Sequence, residues 1–126
     1  MSFLDDIFGK KSVEASKLNW NSLSDVSQLE TISKNSNNKT QAIFKHSTRC
    51  GISSNVLRKF EQQFDSSRPV ELHFLDLLKY RAVSNEIAQR FSVEHQSPQL
   101  LIIKNKEVVH NVSHYDILED GTLKFI

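Results

Sequence analysis

The feature that most constrains the fold of this 126-residue chain is a change of hydrophobic period at residue 50. Before it, Thr40 to Lys45 carries the run Ala42, Ile43 and Phe44, too short for a helix and bounded by polar residues. That pattern predicts a strand buried on both faces. After it, Ile52, Val56, Leu57, Phe60 and Phe64 recur as one apolar stripe between Gly51 and Phe64, which predicts an amphipathic helix. A strand that is apolar on both faces must be covered on both, so the chain is expected to be layered α/β.

The rest of the sequence extends this rhythm. Leu18 to Trp20 reads as a short strand, with Trp20 as a core aromatic. Ser24 to Ile32 reads as a helix, with Val26, Leu29 and Ile32 on one face and a serine able to cap its first turn. Ser33 to Thr40, rich in Ser and Asn, reads as a loop. Pro69 opens a second strand at Val70 to Leu75. A helix at Ser84 to Phe91 follows, with Ile87, Ala88 and Phe91 inward. The order then breaks: Leu100 to Ile103 and Val108 to Val109 flank the polar turn Lys104 to Glu107, the signature of an antiparallel hairpin. Tyr115 to Leu118 and Leu123 to Ile126 are read as a last helical turn and a short edge strand. Together these elements make a mixed sheet flanked by helices in a single domain.

This length supports one sizeable core without metal or disulfide staples. One cysteine excludes an intramolecular disulfide and, with no secretory leader recognised, points to the cytoplasm. Phe3, Leu4, Ile7 and Phe8 cluster near the start, but Asp5 and Asp6 interrupt them, and the stretch is too short to span a bilayer. It reads as a short amphipathic turn or helix that caps the core, with a weak membrane or partner contact as the lesser alternative. The formal net charge of +1 singles out neither nucleic acid nor an acidic membrane as a partner.

Charge matters locally. Lys39, Lys45, Arg49, Arg58 and Lys59 fall between residues 39 and 60, a stretch without Asp or Glu, and Cys50 lies among them at the predicted helix start. A lone cysteine is ordinarily a small core residue. Here it sits off the apolar stripe, where unpaired N–H groups and the helix dipole favour a thiolate. Ser53 follows one turn later, completing Cys50-Gly51-Ile52-Ser53. A hydroxyl can hydrogen-bond a thiolate but cannot resolve a mixed disulfide, so the chemistry is monothiol or relies on an outside thiol. His46, four residues before Cys50, is a candidate for thiolate stabilisation or proton transfer, whereas His95 and His114 read as ordinary imidazoles. A structural zinc site would need four ligands, and no Cys-x-x-Cys is present, so no metal is expected.

The segments Ile43-Phe44-Lys45-His46-Ser47-Thr48-Arg49-Cys50-Gly51-Ile52-Ser53, Val83 to Ala88, His95-Gln96-Ser97-Pro98-Gln99 and Ser113-His114 resemble the YtxJ-like family of the bacillithiol system, the monothiol bacilliredoxins. The resemblance runs from about Trp20 to the C-terminus and implies a thioredoxin-like domain over residues 18–126 behind an N-terminal extension, 1–17. It implies a bacterial thiol-disulfide oxidoreductase with Cys50 catalytic, and Ser53, His46 and Arg49 stabilising the thiolate. Ser97 and Pro98 would share a cis peptide facing the cysteine, with the Ser97 backbone pairing to an extended substrate. The implied substrate is bacillithiol in mixed disulfide with client proteins, a co-substrate rather than a bound cofactor, whose carboxylates Lys45 and Arg49 would contact.

Two departures bear on this. Gly51 stands where the bacilliredoxin pattern more often has Pro, giving Cys-Gly-Ile-Ser, close to the Cys-Gly-Phe-Ser of monothiol glutaredoxins. The buried Asp of thioredoxin has an apolar counterpart near Phe44. The first keeps open an iron–sulfur carrier in which Cys50 and an exogenous thiol from each of two subunits hold a cluster. A thioredoxin-fold adaptor without thiol chemistry is the third reading.

Overall fold

Strand β2, Thr40–His46, is the centre of the molecule, and six of its seven residues are buried. In the computed structural model, which describes residues 18–123, a five-stranded sheet has the order β1-β3-β2-β4-β5. Its other strands are β1 (Trp20–Ser22), β3 (Val70–Asp76), β4 (Gln99–Lys104) and β5 (Glu107–Ser113). β1 and β2 run parallel to β3, while β4 is antiparallel to β2 and to β5.

Successive β2 residues face opposite layers. Ala42 and Phe44 join Leu72, Leu100 and Ile102 against Val56 and Phe60 of α2, Gly51–Gln63, and Phe64 just beyond it. Ile43 joins Leu75, Leu101 and Ile103 against Leu29 and Ile32 of α1, Ser27–Asn35, and Val83 and Ile87 of α3, Arg81–Arg90. The sheet is thus covered on both faces, as the unbroken apolar run of β2 demands. Trp20 packs edge-on to Phe44 and Phe74 and donates its Nε1–H to Glu61 Oε2 at 2.7 Å, so it is a core aromatic with its polar atom satisfied.

Several boundaries move, each for a local reason. The first strand lies two residues later than expected because its register against β3 pairs Trp20 with Leu72, while Leu18 enters the core ahead of it. α1 begins at Ser27 with Val26 as its N-cap; just ahead of it Asp25 Oδ2 accepts the Ser27 N–H, and Gln28 Oε1 accepts the Ser24 and Asp25 N–H groups, so the expected Ser24 cap is not formed. It continues to Asn35 through residues whose polarity suggested a loop. α3 starts at Arg81, three residues early. The hairpin turns at Asn105 and Lys106, both with positive φ (52° and 68°), as a two-residue turn matching strand twist requires. Ser36 fastens this turn to the end of α1, its carbonyl accepting the Asn105 N–H and its Oγ the Lys106 N–H. A 3₁₀ turn, His114–Leu118, ends the chain's approach to α2, and Leu123, expected in an edge strand, is in a short helix, α4, Asp120–Leu123. The rest of that expected strand and the N-terminal extension, 1–17, lie outside the described residues. No helix among the described residues is long and apolar enough to cross a membrane.

Candidate active site

Beyond His46 the chain leaves the sheet in a tight turn closed by the Cys50 N–H donating to the Ser47 carbonyl at 3.2 Å. Cys50 is extended (φ −108°, ψ 116°), and its own carbonyl accepts the Ser54 N–H, so it caps the N-terminus of α2. Its thiol is free and half-buried, flanked by exposed Arg49, Gly51 and Ile52. The first turn of α2 contains no acidic residue, and the Cys50 side chain makes no capping hydrogen bond to it. The end of a thirteen-residue helix dipole therefore meets the sulfur without a competing carboxylate.

Ser53 and His46 come together beneath this turn. Ser53 is fully buried, and its Oγ lies 2.7 Å from His46 Nδ1 and accepts the Ser47 N–H at 3.1 Å. Burial pushes the His46 pKa down, opposed by the charges of Asp76 and Glu61. In the neutral ring with Nδ1 as acceptor, the single Ser53 proton goes to His46. Among the described residues no hydrogen bond joins Ser53 to the sulfur. Ser53 instead ties the end of β2 to the start of α2, and this bond fixes where Cys50 is held.

Lys45 is placed differently from expectation. Its side chain is 0 % exposed and points to the α1 and α3 face, opposite His46. Its ammonium donates to His95 Nδ1 at 2.7 Å, with Ser84 Oγ 3.3 Å from the same nitrogen. The amine is enclosed and engaged by an imidazole, whereas Arg49, next to Cys50, is exposed. Burial lowers the Lys45 pKa from 10.5 to about 8. His95 is also held low, by burial first and then by the charges of Lys45 and Arg81. The Ser97–Pro98 peptide is cis, Pro98 is buried, and its carbonyl accepts the His114 N–H at 3.0 Å.

The sequence reading missed the roles of His95, Ser84 and Gln99. Gln99, 1 % exposed, donates to the Glu94 carbonyl and to Asn111 Oδ1 and accepts the Gln96 N–H. The available signal was that a strand covered on both faces and continuing to His46 must enclose Lys45 as well. The partner fifty residues away had no signature.

Gly51 is the departure that geometry explains most simply. A Cβ built there meets nothing within 4 Å, its φ is not positive, and the preceding residue is extended, as a following proline requires. Gly51→Pro is therefore expected to raise stability by about 0.5–1 kcal/mol through loss of unfolded-state freedom, since proline suits the first helical position. Urea unfolding checks this: an unchanged slope with a higher midpoint is the expected result, and a lower midpoint contradicts it.

A cavity of about 500 Å³ lies at the opposite end of the sheet from Cys50, lined by Leu18, Lys39, Phe64, Val70 and Leu72 among others. Among the described residues no three His, Cys, Asp or Glu side chains gather as a metal site would need.

A family model described as Monothiol bacilliredoxin BrxC matches residues 21–121. A solved structure whose description gives a thioredoxin fold and, provisionally, oxidoreductase activity is 33% identical, covers 82% of this chain and 88% of its own, and superposes with a TM-score of 0.70. Thioredoxin of Fasciola hepatica (18% identity, TM-score 0.67, 84% of this chain and 99% of its own) and that of Schistosoma mansoni (24%, 0.65, 88% and 99%) share the fold. The thioredoxin fold expected from the resemblance is thus the fold observed.

Proposed function

The chain belongs to the monothiol bacilliredoxin family, and on that premise we propose that it removes bacillithiol from mixed disulfides on client proteins in a reducing, cytoplasmic setting. The carrying observation is the position of its sole thiol, half-exposed at the N-cap of α2 with no acidic residue in the first turn.

The Cys50 thiolate attacks the bacillithiol sulfur of the client disulfide. One S–S bond forms, the client S–S bond breaks, and the client leaves as a thiolate that takes a proton from solvent. A second low-molecular-weight thiol then attacks the Cys50 adduct, restoring Cys50 and carrying the oxidising equivalent away as a disulfide. Ser53 cannot take that second role because it has no sulfur. In this reading Ser53 and His46 favour the thiolate by fixing the turn that presents it to the helix N-terminus. Arg49 meets a bacillithiol carboxylate, and Ser97 and Pro98 form the ledge on which the client chain lies.

The test is turnover on one client peptide carrying either bacillithiol or glutathione in mixed disulfide, with the matching free thiol as second substrate. Faster release of bacillithiol, by about tenfold or more in kcat/KM, is the expected result. Equal rates would remove bacillithiol as the recognised group. A brown protein with visible absorption after anaerobic purification would point instead to cluster carriage.

A further inference from the structure

Three consecutive residues ahead of Ser97 are each held by a side chain from a central strand. The Glu94 carbonyl and the Gln96 N–H both bond Gln99 of β4, at 3.0 and 3.3 Å. Between them, the His95 ring is held by Lys45 of β2 at 2.7 Å. Ser97, the next residue, has a buried Oγ with no hydrogen-bond partner. Nothing in Ser97's own side chain therefore fixes its position, which is set between these bonded predecessors and buried Pro98, whose carbonyl accepts the His114 N–H.

An ammonium has three donors and no acceptor, so His95 must offer Nδ1 as an unprotonated acceptor, with its proton on Nε2. Burial, Lys45 and Arg81 all act in that direction. Among the described residues no carboxylate pairs with Lys45, although a buried ammonium without a counter-charge is costly. A stable core would place an apolar residue there, next to Leu75 across the ladder.

We propose that Lys45 and His95 are a positioning pair: the buried amine clamps the imidazole so that Ser97 is preorganised to receive an extended polypeptide bearing the disulfide. The proposal rests on the reading of Cys50 as the nucleophile. It assigns the two residues to recognition of the client chain rather than to the sulfur chemistry, because they act on the opposite side of the sheet from His46 and Ser53.

The experiment compares full-length wild type, His95→Ala and His95→Asn, whose Oδ1 can accept from Lys45 as Nδ1 does. Iodoacetamide reads Cys50 alone, and a bacillithiolated peptide reads client recognition. His95→Ala is expected to alkylate within about twofold of wild type while KM for the peptide rises about tenfold and kcat changes little. His95→Asn is expected to recover KM to within about threefold of wild type. An unchanged KM in His95→Ala overturns the proposal. So does a matching fall in alkylation, or an Asn variant as poor as Ala, which would mean that the ring itself touches the client. Amide hydrogen exchange keeps the clamp distinguishable from the redox reading, because it needs no activity: the Gln96 N–H, bonded to Gln99 Oε1 beside the clamped ring, is expected to exchange about tenfold faster in His95→Ala than in wild type. Unchanged exchange overturns the clamp even if thiol transfer proceeds, and faster exchange in a protein that never transfers thiol overturns only the redox reading.

Discussion

Cys50→Ser is expected to remove thiol transfer completely while leaving the protein as stable as wild type or more so. The activity loss follows because a hydroxyl at neutral pH is not ionised and forms no disulfide, and no second sulfur in the described site can take over. The stability effect has the other sign because Cys50 occupies a helix N-cap, with extended backbone and no side-chain bond to the helix. Serine is among the preferred residues there, and a bond from its Oγ to a free N–H of the first turn would add about 0.5–1 kcal/mol. The two measurements are bacillithiol release from a client peptide and urea unfolding. Release at the buffer rate with an equal or higher midpoint is the expected pair. Residual turnover would mean that the thiol is not the reacting group.

Lys45→Met should show the same opposition between function and stability at a site on the other face of the sheet. Folding brings the Lys45 pKa down from 10.5 to about 8 by burying the amine. Between those values the unfolded chain holds the proton and the folded chain does not, so stability rises with pH across that interval. Below about 8 both states are protonated and the full cost of burying the charge remains, of order 3 kcal/mol. Methionine fills a similar volume without charge and leaves the half-open imidazole of His95 to water. The variant is expected to be about 1–3 kcal/mol more stable than wild type at pH 7, with the difference closing as pH passes 10. Denaturant melts at pH 7 and pH 10.5 check this. A less stable variant at pH 7, or a difference that ignores pH, would show that the ammonium is adequately compensated in the fold.

Much of this architecture was legible because apolar residues with the right period leave few solutions. The run Ala42 to Phe44 and the stripe Ile52 to Phe64 located β2 and α2 almost to the residue, and with them the position of Cys50 between strand and helix. Less legible were elements whose limits are set by partners. The register of β1 comes from Leu72, His73 and Phe74 across the ladder, and nothing in residues 18–22 announces it. α1 runs on through Ser33, Lys34 and Asn35 because its apolar face is already docked through Leu29 and Ile32.

The polar interior was the least legible part. Buried Gln41 bonds buried His73 and partly buried Glu71, and buried Lys45 reaches the more open His95, yet residue types of this kind mark surfaces in any pattern built on hydrophobicity. Ser53 was recognised as important for a different bond from the one it makes. Its spacing from Cys50 suggested the sulfur, but its inward position gives it His46 and the Ser47 N–H.

The most direct test of the central claim is the intact mass of the reduced protein after brief exposure to bacillithiol disulfide, followed by peptide mapping. The account predicts the addition of one bacillithiol, located on Cys50 and reversed by a second thiol, forming faster than the corresponding adduct from glutathione disulfide. No adduct from either disulfide would contradict it and leave a thioredoxin fold whose lone cysteine has no part in thiol exchange.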